Sequence, residues 1–148
     1  MGEPREPKPI KNENLEGLDL RILFADKTKL NRDVLKKWIR QKYPAAHITE
    51  VEDNAELFYT FMKSLEGEFN VVFTYQNIID TSGLNLIKSV RRKDKNTLVI
   101  MIADLDDKAF ASLCQEAEKS KVFCIQKPLN ADKVKQIYSV IEDWRAFK

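Results

Sequence analysis

The chain has 148 residues, which is enough for one domain with a substantial core and too few for two ordinary domains. Its net charge of +2 and its 43% hydrophobic residues are typical of a globular protein and give no sign of the basic patch that nucleic-acid-binding domains carry. No apolar run reaches the roughly 18 residues of a membrane-spanning helix, and two cysteines are too few for a disulfide framework. These properties predict a cytoplasmic protein without membrane or nucleic-acid partners.

The beginning of the chain differs in composition from the rest. Residues 1–17 contain three prolines, several charges and almost no apolar side chain, so burial cannot offset the entropy lost on ordering them. We predict that residues 1–17 form a flexible tail or a linker from an upstream domain of a longer protein. The folded domain is predicted to span residues 18–148.

From Leu18 onward, short apolar runs alternate five times with segments of helical periodicity. The predicted strands are residues 20–25, 47–51, 69–75, 97–103 and 122–125. The third helix is predicted over residues 83–92. The apolar stripe of the first helix is Leu30, Val34, Leu35 and Trp38, and that of the second, which Gly67 closes, is Leu57, Phe58, Phe61, Met62 and Leu65. The stripe of the fourth helix is Phe110, Leu113, Cys114 and Ala117, and that of the last is Val134, Ile137, Tyr138, Ile141 and Trp144. Strands that are apolar throughout are buried on both faces, which predicts a parallel sheet between two helix layers. The expected fold is α/β, a flavodoxin-like, doubly wound (βα)5 sheet with strand order 2-1-3-4-5.

In such a fold, ligands bind at the carboxyl ends of the strands, and the residues there carry a family resemblance. Tyr75 ends the third predicted strand and stands eight residues before Gly83, and the pair Lys127-Pro128 follows the fifth strand. Together with the stretch Leu30-Asn31-Arg32, this layout resembles the receiver domain of response regulators, the CheY-like family. The resemblance covers nearly everything after the tail. It implies that Tyr75 occupies the position of the phosphoacceptor aspartate, and a phenol cannot form an acyl phosphate.

The resemblance also assigns a family position to five other residues. Asp26 matches the first of two acids that hold Mg²⁺ in the family, and Lys27 stands where the second would be. Ile102 replaces a hydroxyl residue that contacts the phosphoryl group, and Cys124 replaces an aromatic residue that rotates on activation. Lys127 retains the family's lysine. The resemblance therefore implies a degenerate phosphorylation pocket and a pseudo-receiver.

Several roles are open for the polar side chains of this pocket. Asp26 and Lys127 are expected to form a structural ion pair, with a residual cation or anion site as the alternative. No metal site and no cofactor are predicted, and Asp26 is the one candidate for residual Mg²⁺ binding. Lys27 is an alternative ion-pair partner for Asp26. Tyr75 is expected to fill the vacated pocket with its hydroxyl facing water.

Other acidic side chains crowd the same edge. Asp80 is an alternative, displaced phosphoacceptor. Asp53 belongs to the same acidic rim, and Asp104, Asp106 or Asp107 is expected to cap the fourth helix.

Two surfaces are candidates for partner docking. Arg32, Lys36 and Arg40 recur at four-residue spacing along the first helix, which indicates either a solvated face or a docking surface for an acidic partner. In the family, the first helix commonly faces the histidine-containing partner, and a second face that includes the last helix often forms homodimers. Trp144 is the candidate residue on that second face.

The sequence therefore predicts an atypical receiver domain in two-component or phosphorelay signal transduction, not an enzyme, that acts as a phosphorylation-independent protein-interaction module. The expected partner is a signalling kinase, a phosphotransfer protein or an output domain, with a homodimer as an alternative. Two other functions stay open. One is a conventional receiver phosphorylated at an unusual residue. The other is a flavodoxin-type ligand-binding domain, although the chain has no Gly-rich phosphate loop.

Overall fold

A computed structural model describes residues 19–146 of the chain. The strands are β1 (Arg21–Ala25), β2 (His47–Val51), β3 (Val71–Asn77), β4 (Leu98–Asp104) and β5 (Phe123–Gln126). The helices are α1 (Lys29–Lys42), α2 (Asn54–Lys63), α3 (Gly83–Lys93), α4 (Asp107–Glu118) and α5 (Ala131–Ala146). The tail or linker predicted over residues 1–17 lies outside the described residues.

The five strands form one parallel sheet in the order β2-β1-β3-β4-β5. The predicted strand order 2-1-3-4-5 and the flavodoxin-like α/β class are thereby confirmed. β1 lies inside the sheet because β2 and β3 pair on its two sides. All carboxyl ends of the strands consequently meet at one edge, which we call the carboxyl edge.

The core has two parts, one on each face of the sheet. One cluster packs Leu23, Val72 and Met101 against residues of α2, α3 and α4. The other packs Ile22, Phe73 and related side chains against α1 and α5. Successive residues of a strand point to opposite faces, so the unbroken apolar runs fill both layers.

The structure corrects parts of the sequence interpretation of the helices and strands. β3 begins two residues later than predicted and continues to Asn77, where it pairs with Asp104 of β4. α2 ends at Lys63, so Leu65 lies beyond the helix. In the predicted apolar stripe of α2, only Leu57 and Phe61 are buried, whereas Phe58, Met62 and Leu65 are exposed. In α1, the predicted stripe residues Leu30 and Val34 are likewise exposed.

Capping side chains fix where two of the helices begin. Asp53 accepts a hydrogen bond from the Glu56 backbone N–H at 2.8 Å at the start of α2. Asp106 accepts a hydrogen bond from the Ala109 N–H at 2.8 Å at the start of α4. Of Asp104, Asp106 and Asp107, it is therefore Asp106 that caps this helix. In residues 19–146, none of the helices is long and apolar enough to cross a membrane.

Candidate functional site

A pocket of about 460 Å³ opens at the carboxyl edge between α1, the ends of the central strands and the loop that precedes α5. Its lining includes Asp26, Tyr75, Ile102 and Lys127, and an adjoining hollow of about 230 Å³ also includes Lys27. The structure therefore brings together five of the six residues that the resemblance assigns to one pocket.

Cys124 is the exception, and it corrects the predicted set. It does not line the pocket but packs against the core cluster that faces α2, α3 and α4, where it interacts with Cys114 of α4. Burial, reinforced by this neighbouring thiol, raises the pKa of Cys124 to about 12. Its side chain faces away from the pocket because neighbouring residues in a strand alternate between the two faces.

Asp26 is held by several neighbours. Its carboxylate lies 3.6 Å from the Lys127 ammonium, and both side chains are largely shielded from solvent. It also accepts hydrogen bonds from the Thr28 backbone N–H at 2.9 Å and from the Asn31 amide at 3.4 Å. The structure thus shows the expected Asp26–Lys127 ion pair. The alternative pairing of Asp26 with Lys27 is wrong: within residues 19–146, Lys27 forms no ion pair and its side chain is exposed.

Tyr75 has its ring buried at the end of the core, with 6% of its surface exposed. Its hydroxyl donates a hydrogen bond to the Asp80 carboxylate at 3.0 Å, so the prediction that it faces water is wrong. Burial, together with this hydrogen bond to an anion, raises the pKa of Tyr75 well above its ordinary value. The phenol is therefore neutral at physiological pH and acts as a donor.

Asp80 is fully engaged as an acceptor. It receives hydrogen bonds from Tyr75, from the Ser82 backbone N–H at 3.0 Å and from the Ser82 hydroxyl at 2.5 Å. Burial opposes its ionisation, but the hydrogen bonds from Ser82 and Tyr75, with the positive charge of Lys27, keep the pKa of Asp80 below its ordinary value. The carboxylate thus serves as the anchor of the β3–α3 loop.

Asn54, the first residue of α2, is a buried polar side chain that sequence reasoning missed. Its amide donates to the Tyr75 carbonyl at 2.9 Å and to the Ser82 hydroxyl at 3.2 Å, and its oxygen accepts from the Thr74 hydroxyl at 2.6 Å. It thereby joins α2, the end of β3 and the start of α3. The sequence did contain a sign that Asn54 is buried, because this residue follows the Asp53 cap and lies on the same side of the helix as Leu57 and Phe61.

The start of α3 lies very close to β3. A Cβ atom at Gly83 would stand 2.6 Å from the Tyr75 carbonyl oxygen, so only glycine fits there without displacement. The Gln76 side chain also accepts a hydrogen bond from the Leu84 N–H at 3.1 Å. The spacing between Tyr75 and Gly83 therefore serves close packing at this edge of the sheet.

The three residues of the basic stripe of α1 differ in their contacts with the rest of the domain. Arg32 donates to Glu50 of β2 at 2.9 Å and to the Asp26 carbonyl at 2.6 Å, and Lys36 also pairs with Glu50. The hydrogen bond from Lys36, and after it that from Arg32, holds the pKa of Glu50 below its ordinary value against the effect of burial. Arg40 is the exposed member of the stripe. Arg32 and Lys36 thus bind α1 to the sheet, and their role in partner docking stays a prediction.

Trp144 lies at the opposite end of the molecule from the pocket. It is half-buried against the α1–α5 side of the core, and its indole N–H donates to the Asn96 carbonyl at 2.9 Å. Its ring therefore contributes to anchoring α5 beside the turn before β4.

The acidic side chains of the carboxyl edge take part in local structure. Across residues 19–146, no group of three or more His, Cys, Asp or Glu side chains is placed to hold a metal ion. At the carboxyl edge, Asp53 and Asp106 cap helices and Asp107 accepts from Gln126 at 2.9 Å, so these acids serve local structure.

Known proteins resemble this chain in structure and not in sequence. No family model and no curated protein matches the chain. Among solved structures, it is similar to a CheY-like response regulator receiver domain protein from Methanospirillum hungatei JF-1, with a TM-score of 0.70, 15% identity, and coverage of 88% of this chain and 99% of that one. It is also similar to the response regulator TrrA from Thermotoga maritima, solved with Mg²⁺ and BeF, with a TM-score of 0.64, 20% identity, and coverage of 82% and 98%.

A third similar structure carries a different name. It is an adenylate cyclase from Rhodopirellula baltica, with a TM-score of 0.65, 18% identity, and coverage of 87% of this chain and 92% of that one. At these identities the likenesses establish the fold alone. The chain has the fold of a response-regulator receiver domain.

Proposed function

We propose that this chain is a receiver-fold protein-interaction domain of a two-component or phosphorelay pathway, and that its interactions do not depend on aspartyl phosphorylation. The observation that carries the proposal is the environment of Tyr75. At the position that the resemblance assigns to the phosphoacceptor, a buried phenol donates a hydrogen bond to Asp80. A phenol cannot form the acyl phosphate of the family's switch.

The surrounding groups support the same conclusion. Phosphoryl transfer of this kind depends on a free carboxylate nucleophile and on a cation that balances the phosphoryl charge. The Asp26 carboxylate is paired with Lys127, and Asp80 accepts three hydrogen bonds from Tyr75 and Ser82. Ile102, which pairs with Tyr75 across the sheet, has no hydroxyl to offer an incoming phosphoryl group.

The same residues do not fit Mg²⁺. Magnesium requires nearly octahedral coordination by oxygen atoms, usually with at least one free carboxylate. Asp26 is the only acid at a family metal position, its charge is matched by Lys127, and Lys27 brings a second ammonium group to the adjoining hollow. We therefore propose a domain that works without a metal ion, without another cofactor and without catalysis.

A chain with this fold and without the phosphorylation chemistry retains its surfaces as its means of action. The proposed partners are a signalling kinase, a phosphotransfer protein or an output domain of the same pathway. A second copy of the chain is the alternative partner. In either case, the input that controls binding is not an aspartyl phosphate.

An amide NMR titration tests the proposal. MgCl₂ is added to millimolar concentration, followed by beryllofluoride, and the amides around Asp26, Tyr75 and Lys127 are monitored. We expect no saturable shift. A phosphorylatable receiver titrated in parallel shows that the reagents are active. Saturable shifts at these three positions would contradict the proposal.

Intact-mass spectrometry addresses the alternative of phosphorylation at an unusual residue. The protein is incubated with acetyl phosphate or phosphoramidate and Mg²⁺, and its mass is measured. We expect no added phosphoryl group. If one is added, a Ser82→Ala and an Asp80→Asn variant separate hydroxyl from carboxyl acceptors in the β3–α3 loop, and the conventional receiver becomes the better description.

A further inference from the structure

Helix α2 carries more apolar side chains than the domain's own core uses. Leu57 and Phe61 are buried, but Phe58 is 40%, Tyr59 61% and Met62 41% exposed. In the described part of the chain, four of the eight exposed large hydrophobic side chains belong to α2 or follow it directly, with Leu65 as the fourth. A surface helix of a globular domain normally needs one apolar stripe, so the second stripe calls for another explanation.

The second stripe borders a groove of about 320 Å³ between α2 and α3. Its lining comprises Asn54, Ala55, Phe58, Ser82, Asn85, Leu86 and Ser89. Phe58 and Met62 are four positions apart and lie on the same side of α2. The groove therefore has an apolar wall on α2 and a mainly small, polar wall on α3.

Contacts at both ends hold this groove open at a fixed width. At one end, the Asn54 amide donates to the Ser82 hydroxyl at 3.2 Å. At the other end, the Lys93 ammonium of α3 donates to the carbonyls of Met62 at 3.1 Å and Ser64 at 2.7 Å. The groove is thus preformed, which lowers the entropic cost of binding a partner.

The charges near the groove indicate what kind of partner fits. Lys88 and Arg92 on α3 form no ion pair within residues 19–146. Lys63 on α2 forms none there either, and its ammonium donates to the exposed Tyr59 hydroxyl at 3.1 Å and lies over the Tyr59 ring. Arg92 hydrogen-bonds to the Ser89 hydroxyl at 3.2 Å, which brings its guanidinium group beside the groove. By contrast, Lys36 of α1 is paired with Glu50. Lys63, Lys88 and Arg92 are exposed and have no carboxylate partner in the described part of the chain, so they are available to carboxylates from outside the domain.

We propose that the α2–α3 groove docks an acidic amphipathic helix of a partner protein. The partner's apolar side chains pack against Phe58 and Met62, and its carboxylates face Lys63, Lys88 and Arg92. This inference rests on the proposed function, because it names the surface through which the interaction domain acts. A second copy of the chain is a poor occupant, since two such faces would oppose their cations.

Peptide titrations followed by amide NMR test the proposal. The probe is a helix-forming peptide of roughly 18 residues with Leu and Phe at i, i+3, i+4 and i+7 and Glu on its other positions. Two matched peptides replace either every Glu by Lys or every apolar anchor by Gln. We expect saturable shifts at Ala55, Phe58, Met62, Asn85 and Ser89 with the acidic amphipathic peptide, and no saturation with the other two.

Substitutions in the groove identify which side chains contribute to peptide affinity. We expect the affinity for the acidic peptide to fall by about tenfold or more in two variants. One is Phe58→Ser, and the other combines Lys88→Glu with Arg92→Glu. All three side chains are exposed, and a dispersed amide spectrum verifies the fold of each variant. Arg40→Glu on α1 is the matched control, since it reverses an exposed cation elsewhere and should leave the affinity unchanged.

Three results would overturn the inference. They are equal binding of the basic peptide, shifts confined to α1, and a concentration-dependent dimer through α2 and α3 without peptide. None of these reports on beryllofluoride binding at the carboxyl edge. Loss of the groove proposal and loss of the phosphorylation-independent function are therefore separate outcomes.

Discussion

The buried amide of Asn54 joins three elements of the carboxyl edge, and replacing it with alanine should have a large effect on stability. The side chain is 1% exposed and takes part in three hydrogen bonds, with the Tyr75 carbonyl, the Ser82 hydroxyl and the Thr74 hydroxyl. Asn54→Ala removes all three at once. It also leaves the hydroxyl of Thr74, itself 1% exposed, without the acceptor at 2.6 Å.

The expected cost follows from these contacts. A buried hydroxyl left without a partner costs about 1–3 kcal/mol, and each of the other two lost hydrogen bonds contributes about 1 kcal/mol. The sum is about 3–5 kcal/mol, which is a large part of the total stability of a domain of this size. With a urea m-value of about 1–3 kcal/mol/M, the unfolding midpoint should fall by more than about 1 M.

Urea unfolding followed by circular dichroism measures this change. Asn85→Ala is the matched control, because Asn85 is exposed on α3 and its truncation should change stability by less than about 0.5 kcal/mol. A double-mutant cycle with Thr74→Val isolates the coupling, since valine removes the hydroxyl that Asn54 satisfies. If Asn54→Ala unfolds at the same midpoint as Asn85→Ala, the amide does not hold the edge together and our account of it is incorrect.

Three further predictions concern other contacts. Gly83→Ala should lower the free energy of unfolding in urea by about 1–3 kcal/mol, because the alanine Cβ would stand 2.6 Å from the Tyr75 carbonyl oxygen and push α3 away. An unchanged urea midpoint would refute that close contact. Since the pKa of Tyr75 is raised in the folded state, its contribution to stability should be fully present below the ordinary tyrosine pKa of about 10 and be lost as pH rises above it. Stability should therefore decrease less steeply above about pH 10 in Tyr75→Phe, and equal slopes would argue against the buried phenol. Arg91→Leu should lower the free energy of unfolding, measured by thermal unfolding, by about 2–4 kcal/mol. The reason is that the Arg91 guanidinium donates to three backbone carbonyls at 2.5 to 2.9 Å, which would lose their donors. Arg92→Leu, which alters an exposed neighbour, should lower it much less.

The topology could be predicted because several independent patterns agree. Five apolar runs separated by helical segments leave few parallel arrangements once crossovers are right-handed. The end of β3 was missed because Gln76 and Asn77 are polar, yet they continue the ladder opposite Ala103 and Asp104. Polar residues are ordinary at the carboxyl end of a parallel strand, where the backbone pairs while the side chains face the edge.

The contents of the site were easier to predict than its contacts. Chain topology alone brings Asp26, Tyr75 and Lys127 to one edge, whatever their rotamers. The partner of the Tyr75 hydroxyl depends on the conformation of the loop that carries Asp80, which periodicity does not report. Likewise, four-residue spacing places Arg32 and Lys36 on one side of α1, but the rotation of that helix determines that this side meets Glu50.

The Lys93 ammonium has a further consequence for the dynamics of the domain. α2 is the shortest of the five described helices, with 10 residues, and the carbonyls at its end are satisfied by a side chain from α3. Fraying of the last turn of α2 is therefore linked to the docking of α3. In amide hydrogen exchange, the end of α2 should open together with α3 as one cooperative unit, and Lys93→Met should uncouple the two.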